Sequence, residues 1–216
     1  MVEKTRINNN VFVYPMPVTL LGANVKGKAN FMALGWVSRV NATPPMIGVG
    51  VYKSHYTVEG IKENGNFSIN FPGAEMIRET DFCGLFSGEN LDKSSLFKVF
   101  YGELETAPMI KECTLNLECR LIKTLELPTN YFFVGEIIGA YSEEQYLTQE
   151  KPDIKKMEPL LLTMPDNSYW LVGDYAGAAW KIGKSLIEQE KRQCAKSSVN
   201  SKSNFCVLSK IWFFCY

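Results

Sequence analysis

The sequence predicts a mainly β domain, either a barrel or a sandwich, with a few short helices inserted between the strands. Short apolar or alternating segments recur at the spacing of hairpins, and clusters of Gly, Pro and Asn separate them. Few segments show the spacing of an amphipathic helix, so a parallel sheet with crossover helices is not indicated. The 216 residues suffice for one domain of ordinary size.

Three antiparallel strands are predicted near residues 18–24, 30–40 and 46–52. These segments are rich in β-branched and apolar residues. The turn residues Lys26 to Lys28 separate the first two, and Asn41 to Pro45 separate the second and third.

Two short helices and a strand are predicted next. Val58 and Ile61 are three residues apart and Gly65 follows, which is typical of a helix that covers 55–64 and ends at a glycine. Residues 66–71 alternate polar and apolar side chains, the pattern of a strand with one buried face. Residues 74–86 are predicted to form the second helix.

The remaining strands are predicted at 114–121, 131–141 and 169–172. The first shows strict alternation, and a turn at 127–130 precedes the second.

The domain is predicted to cover residues 1–186, and residues 187–216 are interpreted as a tail outside it. After Ser185 a charged stretch leads into a segment of mostly Ser, Lys and Asn, and half of the six cysteines fall in this tail. The tail could dock on the domain, mediate association or be non-native sequence, and the sequence does not decide between these.

The composition argues against nucleic acid and membranes as partners. The 23 basic and 23 acidic side chains cancel and are not segregated. No apolar run reaches the roughly 20 residues that span a bilayer, and the N-terminus lacks the apolar core of a signal peptide. We therefore expect a cytoplasmic protein with small molecules or proteins as partners.

Neither a metal site nor a catalytic nucleophile is predicted. The cysteines form no C-x-x-C pair, and His55 is the only histidine. Cys83, Cys113 and Cys119 are interpreted as buried thiols, without a disulfide in a reducing compartment. Gly48 and Gly50 do not begin a dinucleotide fingerprint, because Lys53 stands where its third glycine would be.

A phosphate site is one interpretation of the junction between the strand 46–52 and the helix 55–64. Ser54 and Thr57 lie there beside Lys53, so helix N–H groups, two hydroxyls and an ammonium could meet one anion. The alternative is an ordinary helix cap without a ligand. Both interpretations stay open from these residues alone.

An ordered series of segments resembles the flavin reductase-like split barrels, the family that includes the flavoredoxins. The resemblance covers roughly residues 11–185. It rests on Asn30 to Val37, Pro44-Pro45, Ser54 to Thr57, Asn66 to Asn70, Asp81 to Gly84, Ser87-Gly88, Asp92-Lys93 and Gly135-Glu136. It implies a split β-barrel with a few short helices and one bound FMN.

The resemblance also implies which residues hold the cofactor. The ring and ribityl side would fall on Asn30, Ala33, Leu34, Gly35 and Trp36, and the phosphate end on Tyr52, Lys53, Ser54 and Thr57. A second loop closing on the cofactor would comprise Ser87, Gly88 and Lys93. FMN is expected instead of FAD, because these segments offer a phosphate anchor and no evident adenosine pocket.

The predicted function is that of an FMN-binding oxidoreductase that passes electrons to a small molecule or a protein. Its electron donor would be NAD(P)H or a redox protein. An NAD(P)H:flavin oxidoreductase with dissociable flavin and a non-catalytic flavin-binding protein are the alternatives. Many such reductases carry His just before the strand that contains the Gly-Glu pair, where this chain has Asn130, which argues against handling of nicotinamide.

A homodimer with the flavin site near its interface is also expected from the resemblance and because two-fold pairing is common. Phe31, Phe82, Phe86 and Phe97 flank the proposed site, and one small barrel has limited room to bury them all. The alternative is that these rings pack in the core of one subunit.

Overall fold

The computed structural model describes residues 3–187. The chain divides into two compact units, Met1–Val172 and Gly173–Tyr216. The described part of the second unit consists of turns and the beginning of a helix at 184. The predicted tail lies almost wholly outside the described residues, so its boundary at 186 stays a prediction.

The first unit is built mainly of strands, which confirms the predicted fold class. In chain order the strands are β1 (Met16–Pro17), β2 (Thr19–Val25), β3 (Lys28–Leu34), β4 (Val37–Asn41), β5 (Met46–Tyr52), β6 (Asn66–Phe71), β7 (Val99–Phe100), β8 (Met109–Ile110), β9 (Leu115–Glu126), β10 (Asn130–Tyr141), β11 (Leu147–Thr148), β12 (Lys151–Pro152), β13 (Leu161–Thr163) and β14 (Ser168–Trp170). The helices are α1 (Thr57–Asn64), α2 (Ile77–Leu85) and α3 (Ile154–Met157), with 3-10 turns at Ala74–Met76, Ser94–Leu96 and Glu144–Tyr146. Within the described residues, no helix has the length and apolar character needed to cross a membrane.

Seven antiparallel strands form the main sheet in the order β3-β2-β6-β9-β10-β5-β4. Lys26 and Gly27 have positive φ values of 50° and 76°, which makes the tight turn between β2 and β3. β3 and β4 are the two edges of the sheet. A small sheet, β1-β13-β14, and two short ribbons complete the unit.

Three predicted strands have different bounds in the structure. The segment predicted as one strand at 30–40 is two strands, β3 and β4, separated at Gly35 and Trp36. The indole of Trp36 packs over Gly50, where an added Cβ would lie 3.2 Å from the Trp36 Cε3, and Gly50 N–H donates to the Trp36 carbonyl. β9 continues to Glu126, five residues beyond the predicted end. These five residues are all exposed, and they stay in the strand because β10 pairs with β9 as far as Tyr131. The strand predicted at 169–172 ends at Trp170.

The core consists of two apolar clusters. The larger is built on Leu21, Val49, Ile61, Phe67 and Phe133. The other contains Leu20, Phe31, Met76, Phe97 and Ile110. Phe31 and Phe97 meet edge to face with centroids 5.5 Å apart, so these two rings are core residues of one subunit. Cys83, Cys113 and Cys119 are buried, as predicted for thiols that serve packing.

One carboxylate is fully buried in the body of the first unit. Glu118 of β9 has no solvent exposure. Its oxygens accept hydrogen bonds from the N–H groups of Glu103 (3.2 Å) and Leu104 (3.0 Å) and from the hydroxyl of Tyr141. These three donors satisfy the charge, so Glu118 ties the 103–104 loop to β9 and β10.

Tyr141→Phe should lower the free energy of unfolding by about 1–2 kcal/mol at neutral pH, because a donor to a buried carboxylate is lost. The hydrogen bond to Glu118 raises the pKa of Tyr141 to about 12. An unfolded tyrosine titrates near pH 10, so the stabilisation is fully present below about pH 10 and disappears as the pH rises through about 12. Urea unfolding at pH 7 and pH 11 should show a smaller difference between wild type and variant at the higher pH. An equal or larger difference at pH 11 would refute the assignment.

Candidate functional site

A cleft of about 420 Å³ lies where the edge of the main sheet meets the start of α1 and the end of α2. Its fourth wall is the loop of residues 86–93 that follows α2. The lining residues are Asn30, Met32, Ala33, Ser54, His55, Tyr56, Thr57, Cys83, Gly84, Leu85, Phe86, Ser87, Gly88 and Lys93. The cleft therefore brings together seven of the twelve residues predicted to hold a cofactor.

β3 forms the floor of the cleft. It pairs with β2 on one side, and no strand of the described residues 3–187 pairs with its other side. Met32 and Ala33 both line the cleft, although side chains of neighbouring strand residues point to opposite faces of the sheet. This is expected when a cavity follows the edge of a strand. Backbone N–H and C=O groups along such an edge are available to a ligand.

The start of α1 supplies polar groups to the cleft without a side-chain cap. Tyr56 at the cap position makes no side-chain hydrogen bond to the helix. The hydroxyl of Thr57, which is 1% exposed, accepts a hydrogen bond of 2.7 Å from the amide of the buried Asn30. Ser54 and Thr57 therefore do not cap the helix with their side chains, unlike the alternative interpretation. The positive end of α1 faces the cleft.

Lys93 is the buried cation of the cleft. Only 3% of the residue is exposed, and its ammonium donates to the carbonyls of Phe86 (2.7 Å) and Cys83 (3.2 Å) at the end of α2. The negative end of the helix dipole and these carbonyls hold the charge in place. An ammonium has three N–H donors, so one remains after these two bonds. Desolvation lowers the pKa of Lys93 from its ordinary value.

Two glycines let the walls of the cleft approach each other. A Cβ on Gly84 would lie 3.4 Å from the Cβ of Ala33, so α2 packs closely against β3. A Cβ on Gly88 would lie 1.8 Å from Oδ1 of Asn30, a distance that no side chain tolerates. Gly88 therefore allows the 86–93 loop to lie directly against Asn30 of β3.

His55 and Cys83 are two further titratable groups of the cleft. Desolvation and the charge of Lys93 lower the pKa of His55, which favours its neutral form at pH 7. Burial raises the pKa of the Cys83 thiol to about 11. Cys83 is therefore a protonated wall residue and not a thiolate nucleophile.

Five predicted site residues lie outside this cleft. Leu34 is buried in the larger core cluster. Tyr52 is half exposed, with its ring centroid 6.1 Å from that of His55. The ammonium of Lys53 bonds Glu126 at 2.6 Å. Gly35 and Trp36 line a separate groove.

That separate groove is apolar and has a volume of about 810 Å³. It runs over β4, β5 and β10 beside the segment of residues 11–17. Half of Trp36 is exposed there, and Phe132 and the glycines of β5, Gly48 and Gly50, line it with Trp36. We refer to it below as the Trp36 groove.

The sequence analysis did not assign Met32, Leu85 or Phe86 to the cofactor, although it placed Phe86 among the rings that flank the proposed site. Phe86 begins the loop after α2 and leans on Phe82, with ring centroids 4.7 Å apart. A Leu-Phe pair at the end of an amphipathic helix carries no sign that it faces a ligand. Its proximity to Ser87 and Lys93 was the one available hint.

The arrangement defines a class of protein: a small open barrel with a cleft whose lining combines apolar side chains with a buried ammonium. Residues 11–163 match the family model described as flavin reductase like domain. The chain belongs to this family, and its fold is the split barrel of that family.

Known structures agree with this assignment. A crystal structure of flavoredoxin from Methanosarcina acetivorans is 80% identical, with a TM-score of 0.85, and the match covers 86% of this chain and all of that one. Flavoredoxin of Desulfovibrio vulgaris (Miyazaki F) is 32% identical, with a TM-score of 0.78, over 84% of this chain and all of that one. An FMN-binding protein from Thermus thermophilus shares the fold at 20% identity and a TM-score of 0.70, over 82% of this chain and 98% of that one. Family membership and these flavoredoxins support a flavin-related oxidoreductase function.

Proposed function

We propose that the chain binds FMN in the cleft beside β3 and passes electrons through it to a small molecule or a protein. The observation that carries the proposal is Lys93, a buried ammonium with one donor to spare in the lining of a cleft. A buried cation needs partners, and an anionic ligand would complete them.

The polarity of the cleft matches the two ends of FMN. Met32, Ala33, Leu85 and Phe86 offer an apolar surface for a flat ring system, with backbone groups of the β3 edge beside it. The same cleft offers hydroxyl or N–H donors from Ser54, Thr57, Ser87, Gly88 and Lys93. Such groups suit a phosphate. The FMN-binding protein with the same fold gives further support.

In this proposal the protein binds, orients and shields, and the cofactor carries the electrons. FMN, when bound, supplies two-electron transfer. Lys93 and Thr57 would fix its phosphate, and the β3 edge would set the position of the ring. The flavin chemistry requires no nucleophile of the protein, and burial keeps Cys83 in the wall of the cleft protonated.

An anaerobic titration of the FMN-loaded protein tests the oxidoreductase role. Bleaching of the flavin spectrum by NADH or NADPH would identify a nicotinamide donor, and bleaching only by a reduced redox protein would indicate a flavoredoxin-like carrier. Flavin that is lost on purification but reduced when added as a substrate would favour the dissociable-flavin alternative. A loaded protein that accepts electrons from neither kind of donor would contradict the proposal.

Gly88→Ala should weaken FMN binding by about tenfold, because the added Cβ pushes the 86–93 loop off β3 and disturbs Asn30 and Thr57. Flavin fluorescence titration measures the effect. The control is Gly173→Ala, where a Cβ meets nothing within 4 Å. Equal FMN affinity in wild type, Gly88→Ala and the control would show that the loop is not part of the site.

We further propose that the working form is a homodimer and that the Trp36 groove belongs to its interface. The support is an extended apolar surface beside the edge strand β4, where Val40 of the strand and Trp36 just before it are about half exposed. Such surfaces on soluble proteins mark interaction sites. Sedimentation at micromolar concentration should show a dimer in wild type and a shift to monomer in Trp36→Glu. A wild-type monomer with and without FMN would refute the proposal.

A further inference from the structure

A cavity of about 300 Å³ lies beside the start of β9 and the end of β10. Its lining comes from β7, the segment after β8, β9, and β10 with the residues that follow it. It shares no lining residue with the flavin cleft or with the Trp36 groove. A volume near the lower end of the range for ligand pockets suits one small molecule. We refer to this cavity as the Asn116 pocket.

The side-chain amide of Asn116 is fixed in one orientation. Its Nδ2 donates hydrogen bonds to Oδ1 of Asn70 and to the carbonyl of Ile110, both at 2.8 Å. Oδ1 of Asn70 also accepts from the N–H of Ile110 at 3.1 Å, which identifies it as an oxygen. A flipped Asn116 amide would set its oxygen against two other oxygens. Oδ1 of Asn116 therefore points away from these partners.

Oδ1 of Asn116 is an acceptor that opens into the pocket. Only 3% of Asn116 is exposed, and no group among residues 3–187 donates a hydrogen bond to this oxygen. In the described part of the chain, the hydroxyl of Thr80 is the one fully covered side-chain atom without a partner, so Oδ1 of Asn116 reaches open space. Because Asn116 lines the pocket, its oxygen suits a ligand that brings an N–H donor.

The body of the pocket is apolar. The rings of Phe100 and Tyr141 meet edge to face with centroids 5.9 Å apart. Cys113 lines the same space, and its thiol contacts Sδ of Met76 at 3.8 Å. Burial raises the pKa of the Cys113 thiol well above its ordinary value, so this wall is uncharged. Such walls suit an aromatic ring.

Two opposite charges complete the lining. Lys111 and Glu143 are exposed, and both line the pocket. Neither takes part in a salt bridge among residues 3–187. Oε2 of Glu143 accepts from the amide of Gln145 at 2.6 Å, which leaves its other oxygen available. An ammonium and a carboxylate that do not pair with each other suit a ligand that carries both charges.

We propose that the Asn116 pocket binds a free aromatic α-amino acid. The ammonium of the ligand would donate to Oδ1 of Asn116 and lie near Glu143, and its carboxylate would pair with Lys111. The aromatic side chain would pack against Phe100 and Cys113. This class of ligand supplies the N–H donor, the apolar body and both charges that match the lining. The proposal does not rest on flavin binding, because the pocket and the cleft have no lining residue in common.

Calorimetric titration of the full-length protein with L-phenylalanine, with and without saturating FMN, tests the proposal. L-Phenylalanine should bind saturably, and FMN should leave its affinity unchanged. Hydrocinnamate lacks the ammonium and phenethylamine lacks the carboxylate. Each should bind about tenfold more weakly than the amino acid, because a charge-assisted hydrogen bond is lost.

Variants of the two exposed charges test the orientation of the ligand without disturbing the core. Lys111→Gln should weaken L-phenylalanine binding by about twofold to fivefold, as expected for an exposed ion pair, and leave phenethylamine binding unchanged. Glu143→Gln should weaken the binding of L-phenylalanine and of phenethylamine and leave hydrocinnamate unchanged. Lys123→Gln, at an exposed position on β9, is the control and should bind all three ligands as wild type does.

Several results would overturn the proposal, and each has a different meaning. A folded protein that shows no saturable binding of L-phenylalanine would exclude the site. Equal affinities for the amino acid and its two truncated forms would show that neither the charges nor the Asn116 oxygen recognises it. Competition between L-phenylalanine and FMN would place the amino acid in the cleft. Binding of L-phenylalanine by a protein that fails to bind FMN would support this proposal and refute the proposed function of the cleft.

Discussion

Lys93→Met is expected to weaken FMN binding by about 10- to 100-fold, because a charge-assisted hydrogen bond from a buried ammonium to the phosphate is lost. Methionine keeps the apolar stem that packs in the wall, so the change removes little more than the charge and its donors. The affinity of wild type should fall with rising ionic strength more steeply than that of the variant.

Riboflavin separates a phosphate role of Lys93 from a role at the ring. It lacks the phosphate, so Lys93→Met should bind it about as well as wild type does. Lys123→Met, on the exposed part of β9, is the matched control and should bind FMN normally. Circular dichroism checks that the variant is folded, since the carbonyls of Cys83 and Phe86 lose their donor. Wild-type FMN affinity in a folded Lys93→Met protein would place the phosphate elsewhere.

Glu118→Ala is expected to have the largest effect on stability, a loss of about 2–4 kcal/mol in the free energy of unfolding. The substitution leaves the N–H groups of Glu103 and Leu104 and the hydroxyl of Tyr141 without their acceptor in a closed environment. Urea unfolding at neutral pH measures the loss. Glu63→Ala, an exposed carboxylate on α1, should change stability by less than about 0.5 kcal/mol.

A double-mutant cycle gives the coupling within this network. The cost of Glu118→Ala should be smaller in a Tyr141→Phe background, because one of the stranded donors is already absent. Additive effects of the two substitutions would mean that the hydroxyl and the carboxylate act independently. A Glu118→Ala protein as stable as wild type would show that the carboxylate is not needed to hold the 103–104 loop.

Local patterns predicted most of the fold. The bounds of β5, α1, β6 and β10 differ from prediction by two residues or fewer, since each is delimited by a turn or by Gly65. Where the prediction failed, a tertiary contact decided the structure. The Trp36 indole over Gly50 separates β3 from β4, and the pairing of β10 extends β9 beyond its buried part.

The candidate site was predictable where a signal was local or where the family resemblance supplied it. Thr57 and Ser54 lie at a strand-to-helix junction, and the start of a helix is a common place for an anion to bind. The contact of Lys93 with the end of α2 could be found only in the structure. Lys93 follows Cys83 by ten residues, and no sequence pattern shows that the loop returns to the helix. Glu118 lies in an alternating segment, so its polar position suggested solvent and not a buried network.

The visible spectrum of the purified protein, followed by chromatography of the flavin that heat releases, tests whether the chain holds FMN. We expect a yellow protein with the absorption bands of oxidised flavin and about one flavin per chain, and the flavin released should be FMN and not FAD. Colourless protein that is then given FMN should acquire the same spectrum at saturation. A folded protein that is colourless as purified and also fails to bind added FMN would rule out the FMN site.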